Sequence, residues 1–77
     1  MEEKIRLILS EELQIVDELD STENLLASGV LGSLQMMRLI GYLEEETGWK
    51  VPPQDMIIDH FISISSMASY FDGKTVG

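Results

Sequence analysis

Ser33 is the residue of this chain whose type and position best suit chemistry. It follows the turn-forming run Gly-Val-Leu-Gly at 29–32 and opens a segment with helical periodicity. A serine at a helix start often serves only as a cap. An activated serine nucleophile needs an adjacent base, but His60 is the only histidine, cysteine is absent, and no Ser/His/Asp order suggests a relay. If Ser33 takes part in a reaction, we therefore expect it to be an acceptor that another enzyme modifies.

The other polar residues predict neither a catalytic nor a metal site. His60 lies between Asp59 and Phe61, where we expect it to pack at a helix end and not to bind a metal. The glutamates at 44–46 are consecutive, so they fan around a helix and do not converge on a cation. The acidic loop 17–23 lacks the glycine and the terminal glutamate spacing of an EF-hand. We interpret the glutamates as a solvated face with a secondary use in docking a basic partner.

Length and charge restrict the remaining classes of function. The 77 residues make one small domain, with 5 Lys and Arg against 14 Asp and Glu and a formal net charge of −9. Such a charge repels nucleic acid and anionic membranes and favours basic partner surfaces. No apolar run approaches the ~20 residues of a membrane-spanning helix, and the N-terminus lacks the features of a signal peptide. We expect a cytoplasmic protein without a membrane span or a nucleic-acid partner.

The elements that must position Ser33 are predicted to be helices. Apolar residues recur at helical spacing in residues 2–13, 33–47 and 63–71, which predicts three main helices. Gly48 is placed to end the second helix. The prolines at 52 and 53 force an extended link, because proline restricts both itself and the preceding residue. A short helical turn is expected over 54–59, and residues 73–77 are expected to form a frayed tail.

A long loop at 14–32 separates the first two helices. It is rich in turn-forming residues, and its apolar residues are expected to pin it across the core. A loop of this length in so small a domain usually carries function. The apolar residues in question are Ile15, Val16, Leu19, Leu25, Leu26, Val30 and Leu31.

The second helix has two overlapping apolar faces, and periodicity alone leaves both open. One face contains Leu34, Met37 and Ile40, and the other contains Met36, Leu39, Ile40 and Leu43. The methionines at 36, 37, 56 and 67 are interpreted as core residues, with the alternative that they line a slot for a guest chain, since methionine adapts readily to its neighbours.

Residues 24–50 resemble the acyl and peptidyl carrier proteins. The family pattern is a Leu-rich approach, then Gly-x-x-Asp-Ser-Leu, then a helix that ends in Leu-Glu-Glu-Glu and Gly. The resemblance extends over nearly the whole chain, from the first helix at Glu2 to the last helix near Tyr70. The matching positions of the central motif are Gly29, Ser33, Leu34, Leu39, Ile40, Leu43, residues 44–46 and Gly48.

The resemblance implies an all-α fold, a four-helix bundle of the acyl-carrier type with three main helices, one short helix and a long first loop. The carrier domain would span 1–72 and the tail 73–77. Ser33 would take 4′-phosphopantetheine from coenzyme A, and the terminal thiol of that arm would hold cargo as a thioester. The phosphodiester would lie at a helix N-terminus, where N–H groups and the helix dipole favour an anion.

The implied protein is a monomeric discrete carrier and not an enzyme. Its partners would be a phosphopantetheinyl transferase, an acyl- or aminoacyl-loading ligase or transferase, and downstream synthase or tailoring enzymes. The segment from Asp59 to Tyr70 is more similar to carriers of polyketide, nonribosomal peptide or related specialised pathways than to fatty-acid carriers. The alternatives are a fatty-acid synthase acyl carrier protein and, from another class, an acidic helical adaptor in which Ser33 is only a cap.

The chain departs from the family pattern at Gly32, where the family has aspartate before the acceptor serine. Glycine at this capping position costs only a few tenths of a kcal/mol, so the fold should persist. The missing carboxylate removes a contact that some transferases use, which predicts slow modification or a tolerant transferase.

The predicted docking surface also differs from the family. Many family members carry carboxylates in the first turns of the second helix, whereas this chain has an apolar pair and a cation there, with acidic charge further along. We expect partners to contact mainly the apolar pair, with the alternative that its methionine is part of the core. The predicted docking residues are Leu34, Met37, Arg38, Glu44, Glu45, Asp55 and Asp59.

Overall fold

The computed structural model describes residues 1–16 and 18–75 of the chain. Within these residues it contains four α-helices and no strand, which confirms the predicted all-α bundle with one short helix and a long first loop. Asp17, from the acidic loop, and residues 76–77, from the expected tail, lie outside the described part. The helices are α1 (Glu2–Glu11), α2 (Ser33–Thr47), α3 (Ile58–Phe61) and α4 (Ile64–Thr75), with a 3-10 turn at Pro53–Asp55.

The core is built from apolar faces of the long helices together with residues of the first loop. Helix α4 packs against α1 and α3, and α1 packs against α2. No helix in the described part of the chain is both long and apolar enough to cross a membrane. The largest fully buried side chains are Phe71, Ile5, Leu9, Leu25, Leu31, Leu39, Leu43, Ile64 and Met67.

Helix α1 ends at Glu11, two residues before the predicted end. The last turn widens, because the N–H of Leu13 donates to the carbonyl of Ile8, five residues earlier, at 3.2 Å. Gln14 then adopts a left-handed conformation with φ 57°, which stops the helix. Leu13 remains buried, so its predicted place in the core is confirmed although it lies outside the helix.

The first loop is pinned to the core as predicted. Leu19, Leu25 and Leu31 are buried, and most of the other apolar loop residues pack partly against the core. Val16 is the exception, with 83% of its surface exposed. Its neighbour Ile15 packs against the core, whereas Val16 does not.

Polar contacts hold the same loop at two further points. The Arg6 guanidinium on α1 donates to the carbonyl of Leu19 at 2.8 Å and to the hydroxyl of Ser21 at 3.1 Å. The N–H of Leu25 donates to the carbonyl of Ile62 at 2.8 Å. These contacts attach the middle of the loop to α1 and to the segment before α4, so the chain approaches α2 from a defined position.

The region after α2 divides differently from the prediction of one helical turn over 54–59. The 3-10 turn occupies Pro53–Asp55, and α3 begins only at Ile58. Ile57 lies between them in an extended conformation, with φ −111° and ψ 132°, which a continuous helix does not allow.

Helix α4 begins and ends later than predicted, at Ile64 and Thr75. Ser63 precedes it and accepts the N–H of Ser66 at 3.0 Å, which is the bond of an N-cap. Lys74 lies in the last turn, where a cation complements the helix dipole. The prediction of a frayed tail is therefore corrected for residues 73–75, which are helical. The predicted domain boundary after residue 72 falls inside α4.

The two faces of α2 predict unequal effects of truncation. Leu39 is fully buried, so Leu39→Ala should lower the free energy of unfolding by about 2–5 kcal/mol. Leu34 is 77% exposed, and Leu34→Ala should change the free energy of unfolding by less than about 0.5 kcal/mol. Urea unfolding followed by circular dichroism measures both. Equal losses in the two variants would contradict this orientation of α2.

Candidate functional site

Ser33 is the first residue of α2 and is exposed. The helix begins here because Gly32 is extended, with φ −83° and ψ 171°, while its carbonyl already accepts the N–H of Met36 at 2.9 Å. The Gln35 side chain reaches back and accepts the N–H of Gly32 at 3.0 Å. Only this half of a capping box exists, since glycine has no side chain to cap the first-turn N–H groups.

The approach to Ser33 is held rigid by a capped turn and two buried leucines. The side chain of Asn24 accepts the N–H groups of Leu26 at 3.1 Å and Ala27 at 2.8 Å. The N–H of Leu31 then donates to the carbonyl of Leu25 at 3.0 Å, and both leucines are buried. These anchors bring the chain to the surface immediately before Ser33.

A groove of about 220 Å³ lies beside Ser33, between α2 and the segment at 56–58. Met36 and Phe61 contribute buried side chains to it, whereas Met37 and Met56 lie at the surface. The interpretation of methionines 36, 37, 56 and 67 as core residues is therefore confirmed for Met36 and Met67 and wrong for Met37 and Met56. The apolar side chains that line the groove are Leu26, Met36, Met37, Ile40, Met56, Ile57, Ile58 and Phe61.

A chain of hydrogen bonds holds the segment that forms the second wall of this groove. The Trp49 indole N–H donates to the Tyr70 hydroxyl at 3.1 Å, and that hydroxyl donates to the Asp55 carboxylate at 2.8 Å. Lys74 lies 4.0 Å from the same carboxylate. Burial raises the pKa of Tyr70 above 10.0, and its bond to Asp55 and the charge of Asp55 act in the same direction. The network joins the 3-10 turn to α4.

His60 packs at the end of α3, as predicted. Its ring centroid lies 5.0 Å from that of Tyr70 and 6.1 Å from that of Phe61. Rings at these separations interact favourably in tilted or edge-on arrangements. His60 thus packs against Phe61, which lines the groove.

The structure places Leu34 and Met37, the apolar residues predicted for docking, after Ser33 on the first turns of α2. Leu34 is 77% exposed and Met37 is 53% exposed, while Arg38 is also at the surface. The alternative that Met37 belongs to the core is therefore wrong. The other apolar face of α2, which contains Met36, Leu39, Ile40 and Leu43, is the buried one.

The carboxylates predicted for docking lie outside the first turns of α2 and differ in their surroundings. Glu44 is half-buried and accepts the N–H of Val51 at 2.8 Å, so it holds the chain after α2. Asp55 belongs to the network with Tyr70. Glu45 and Asp59 are exposed, and their use by a partner stays a prediction.

Sequence reasoning missed the wall formed by Ile57 and Ile58 and the bond between Trp49 and Tyr70. Ile57 and Ile58 are 49% and 57% exposed. A signal was present, since Met56, Ile57 and Ile58 form an apolar run between two aspartates, two residues after the proline pair. The bond between Trp49 and Tyr70 has no local signal, because 21 residues separate its partners.

Comparison with protein families matches residues 3–71 to the family described as phosphopantetheine attachment site. The chain belongs to this family of acyl and peptidyl carrier proteins. Carrier domains of the family bear covalently attached 4′-phosphopantetheine. No curated protein and no solved structure matches the carrier chain. The exposed serine at a helix start without carboxylates in its first turn, next to an apolar groove, fits such a group.

The network around Tyr70 predicts a specific response to alkaline pH. Because the pKa of Tyr70 is raised in the folded carrier, its unfolded state releases the proton first. The stabilisation is therefore complete below pH 10.0 and is lost as pH rises through the raised pKa. Tyr70→Phe should cost about 1–2 kcal/mol at neutral pH and lose less stability above pH 10 than the unmodified chain.

Urea unfolding at several pH values, followed by Trp49 fluorescence, measures this difference. Tyr42→Phe is the matched control, since Tyr42 is half-buried and takes no part in the network. It should retain the steep alkaline loss. An identical loss in the Tyr70 variant and the unmodified chain would show that Tyr70 does not cause it.

Proposed function

We propose that Ser33 is the attachment residue for 4′-phosphopantetheine and that the chain shuttles thioester-bound acyl or aminoacyl intermediates between enzymes. The observation that carries this proposal is the exposed position of Ser33 at the first residue of α2, inside the region matched to the carrier family. The arm supplies the thiol that holds the cargo. The protein has no cysteine of its own, so no thiol of the chain competes for the acyl group.

The surroundings of Ser33 support a role as an acceptor and not as a catalyst. In the described part of the chain no side chain forms a hydrogen bond with its hydroxyl, so a transferase must supply the base. We infer that the protein is not an enzyme and that it is a monomer in the cytoplasm, where coenzyme A and the enzymes of the pathway are available.

We propose the partners and the biosynthetic pathway from this carrier role. The partners would be a phosphopantetheinyl transferase, an acyl- or aminoacyl-loading ligase or transferase, and synthase or tailoring enzymes of polyketide, nonribosomal peptide or related biosynthesis. The segment from Asp59 to Tyr70 supports this assignment over a fatty-acid synthase carrier by its resemblance to specialised carriers. Mass spectrometry of the protein isolated from its own pathway identifies the cargo and distinguishes the two.

Partner enzymes would approach Ser33 over an apolar surface. Leu34 and Met37 expose most of their area on the turns that follow Ser33, and α2 has no acidic residue in its first turn. Exposed apolar patches on small proteins mark sites of contact. We infer that recognition at this end depends on apolar burial more than on charge.

Removal of the Ser33 hydroxyl should abolish arm attachment. Incubation of the chain with coenzyme A and a promiscuous transferase should add one phosphopantetheine increment to its intact mass. Ser33→Ala should add none while keeping its helical circular dichroism, since loss of a helix-start serine costs only about 1 kcal/mol. Ser10→Ala, at an exposed site on α1, is the control and should be modified normally. Absence of the increment from the unmodified sequence with several transferases would favour the acidic adaptor.

Loading by a partner enzyme should depend on Met37 and only weakly on salt. Met37→Ala should reduce loading several-fold at preserved fold, because apolar burial is insensitive to screening over a Debye length of about 8–10 Å. Leu7→Ala, on an exposed apolar residue of α1, should load normally. Steep salt dependence, or faster loading with Arg38→Glu, would instead show that the partner recognises charge at this surface.

A further inference from the structure

Two methionines line the groove beside Ser33 and are open to water. Met37 belongs to α2, and Met56 belongs to the segment that forms the second wall. Their exposed fractions are 53% and 39%. A solute that enters the groove therefore meets a thioether side chain on each wall, beside the proposed attachment residue.

The other methionines of the chain are shielded or lie elsewhere. Met36 is 6% exposed and Met67 is 0% exposed, whereas Met1 packs partly against the core and does not line the groove. Oxidation of a thioether requires contact with the dissolved oxidant, so exposure decides which methionine reacts. The fold thus separates two reactive groove methionines from two protected core methionines in one chain.

The sequence contains no sulfur group that would compete with these thioethers. Cysteine is absent, although thiolates are the usual protein targets of peroxide. Before the arm is attached, every sulfur atom of the chain belongs to a methionine. An oxidant would therefore act first on the methionines that water reaches.

The groove has almost no side chain that could accommodate a polar product. Among the described residues that line it, Ser33 is the only polar one. A sulfoxide oxygen is a hydrogen-bond acceptor, and burying it without a donor is unfavourable. In the free chain water can supply that donor, but a partner that covers the groove excludes the water. Oxidation would therefore weaken binding of a partner more than it disturbs the fold.

We propose that Met37 and Met56 form an oxidation site that controls the access of partner enzymes to Ser33. Hydrogen peroxide transfers one oxygen atom to each sulfur: its O–O bond breaks, an S=O bond forms, the sulfur loses two electrons and water leaves. The resulting methionine sulfoxide is polar and can be reduced again by a methionine sulfoxide reductase. The effect on partners rests on the proposed function, whereas the selective oxidation of these two residues does not.

Peptide mapping of the peroxide-treated apo chain tests the selectivity. After the peroxide is removed with catalase, one added oxygen is expected at Met37 and one at Met56. Met36 and Met67 should react at least about tenfold more slowly, because they become accessible only when the fold opens. Equal rates at all four methionines would overturn the proposed site.

The rate of arm attachment tests the consequence for partners. With coenzyme A and a promiscuous transferase, the oxidised chain should be modified about tenfold more slowly than the untreated chain, since a buried polar group without a partner costs about that factor in affinity. Its helical circular dichroism should be unchanged. Methionine sulfoxide reductases with dithiothreitol should restore the rate, with the oxygen released as water. An unchanged rate at complete oxidation of both residues would overturn the proposal.

Leucine variants assign the effect to these residues. In the double variant Met37→Leu and Met56→Leu, which keeps apolar side chains of similar volume, peroxide should not lower the rate below that of the same variant untreated. Met67→Leu, the matched control in the core, should lose rate on oxidation as the unmodified sequence does. Equal losses in the double variant and the control would overturn the assignment. No attachment to the untreated, unmodified sequence with several transferases would instead overturn the proposed function.

Discussion

Helix α2 is fixed in its rotation by the burial of Met36, Leu39, Ile40 and Leu43 against the rest of the bundle. Each large apolar side chain that is fully buried contributes about 1.5–3 kcal/mol, so turning the helix by a third of a revolution would expose most of that stripe. The same burial forces Leu34 to the solvent side, beside the exposed hydroxyl of the first residue. The surface beside Ser33, the proposed attachment residue, is therefore the outer face of a helix whose inner face is buried.

The second wall of the groove depends on polar contacts because α3 is only four residues long. Phe61 is its only buried residue, too little to hold the segment before it. The bonds from Trp49 to Tyr70 and from Tyr70 to Asp55 attach the preceding turn to α4 instead. In a domain without disulfides, this network is the means by which an exposed apolar wall keeps a defined position.

The exposed apolar surface of this protein favours self-association, which its strongly acidic net charge opposes. Leu34, Met37, Met56, Ile57 and Ile58 lie at the surface, which in a neutral protein would promote self-association. A formal net charge of −9 opposes contact between copies while it attracts basic partners. The incomplete cap of α2 is a further cost at the same end. Both costs fall beside Ser33, the proposed attachment residue.

Helical periodicity and turn chemistry determined which segments fold into helices, where α2 begins and ends, and which serine is exposed at its start. These features depend on neighbours within a few residues, such as Gly48 with φ 75° at the end of α2. Only the tertiary structure decided between the overlapping faces that contain Met36 and Met37, because both have helical spacing and the choice depends on what α1 and the loop bury. The helical continuation to Thr75 and the bond between Trp49 and Tyr70 were likewise decided by contacts between residues far apart in sequence, which no local pattern records.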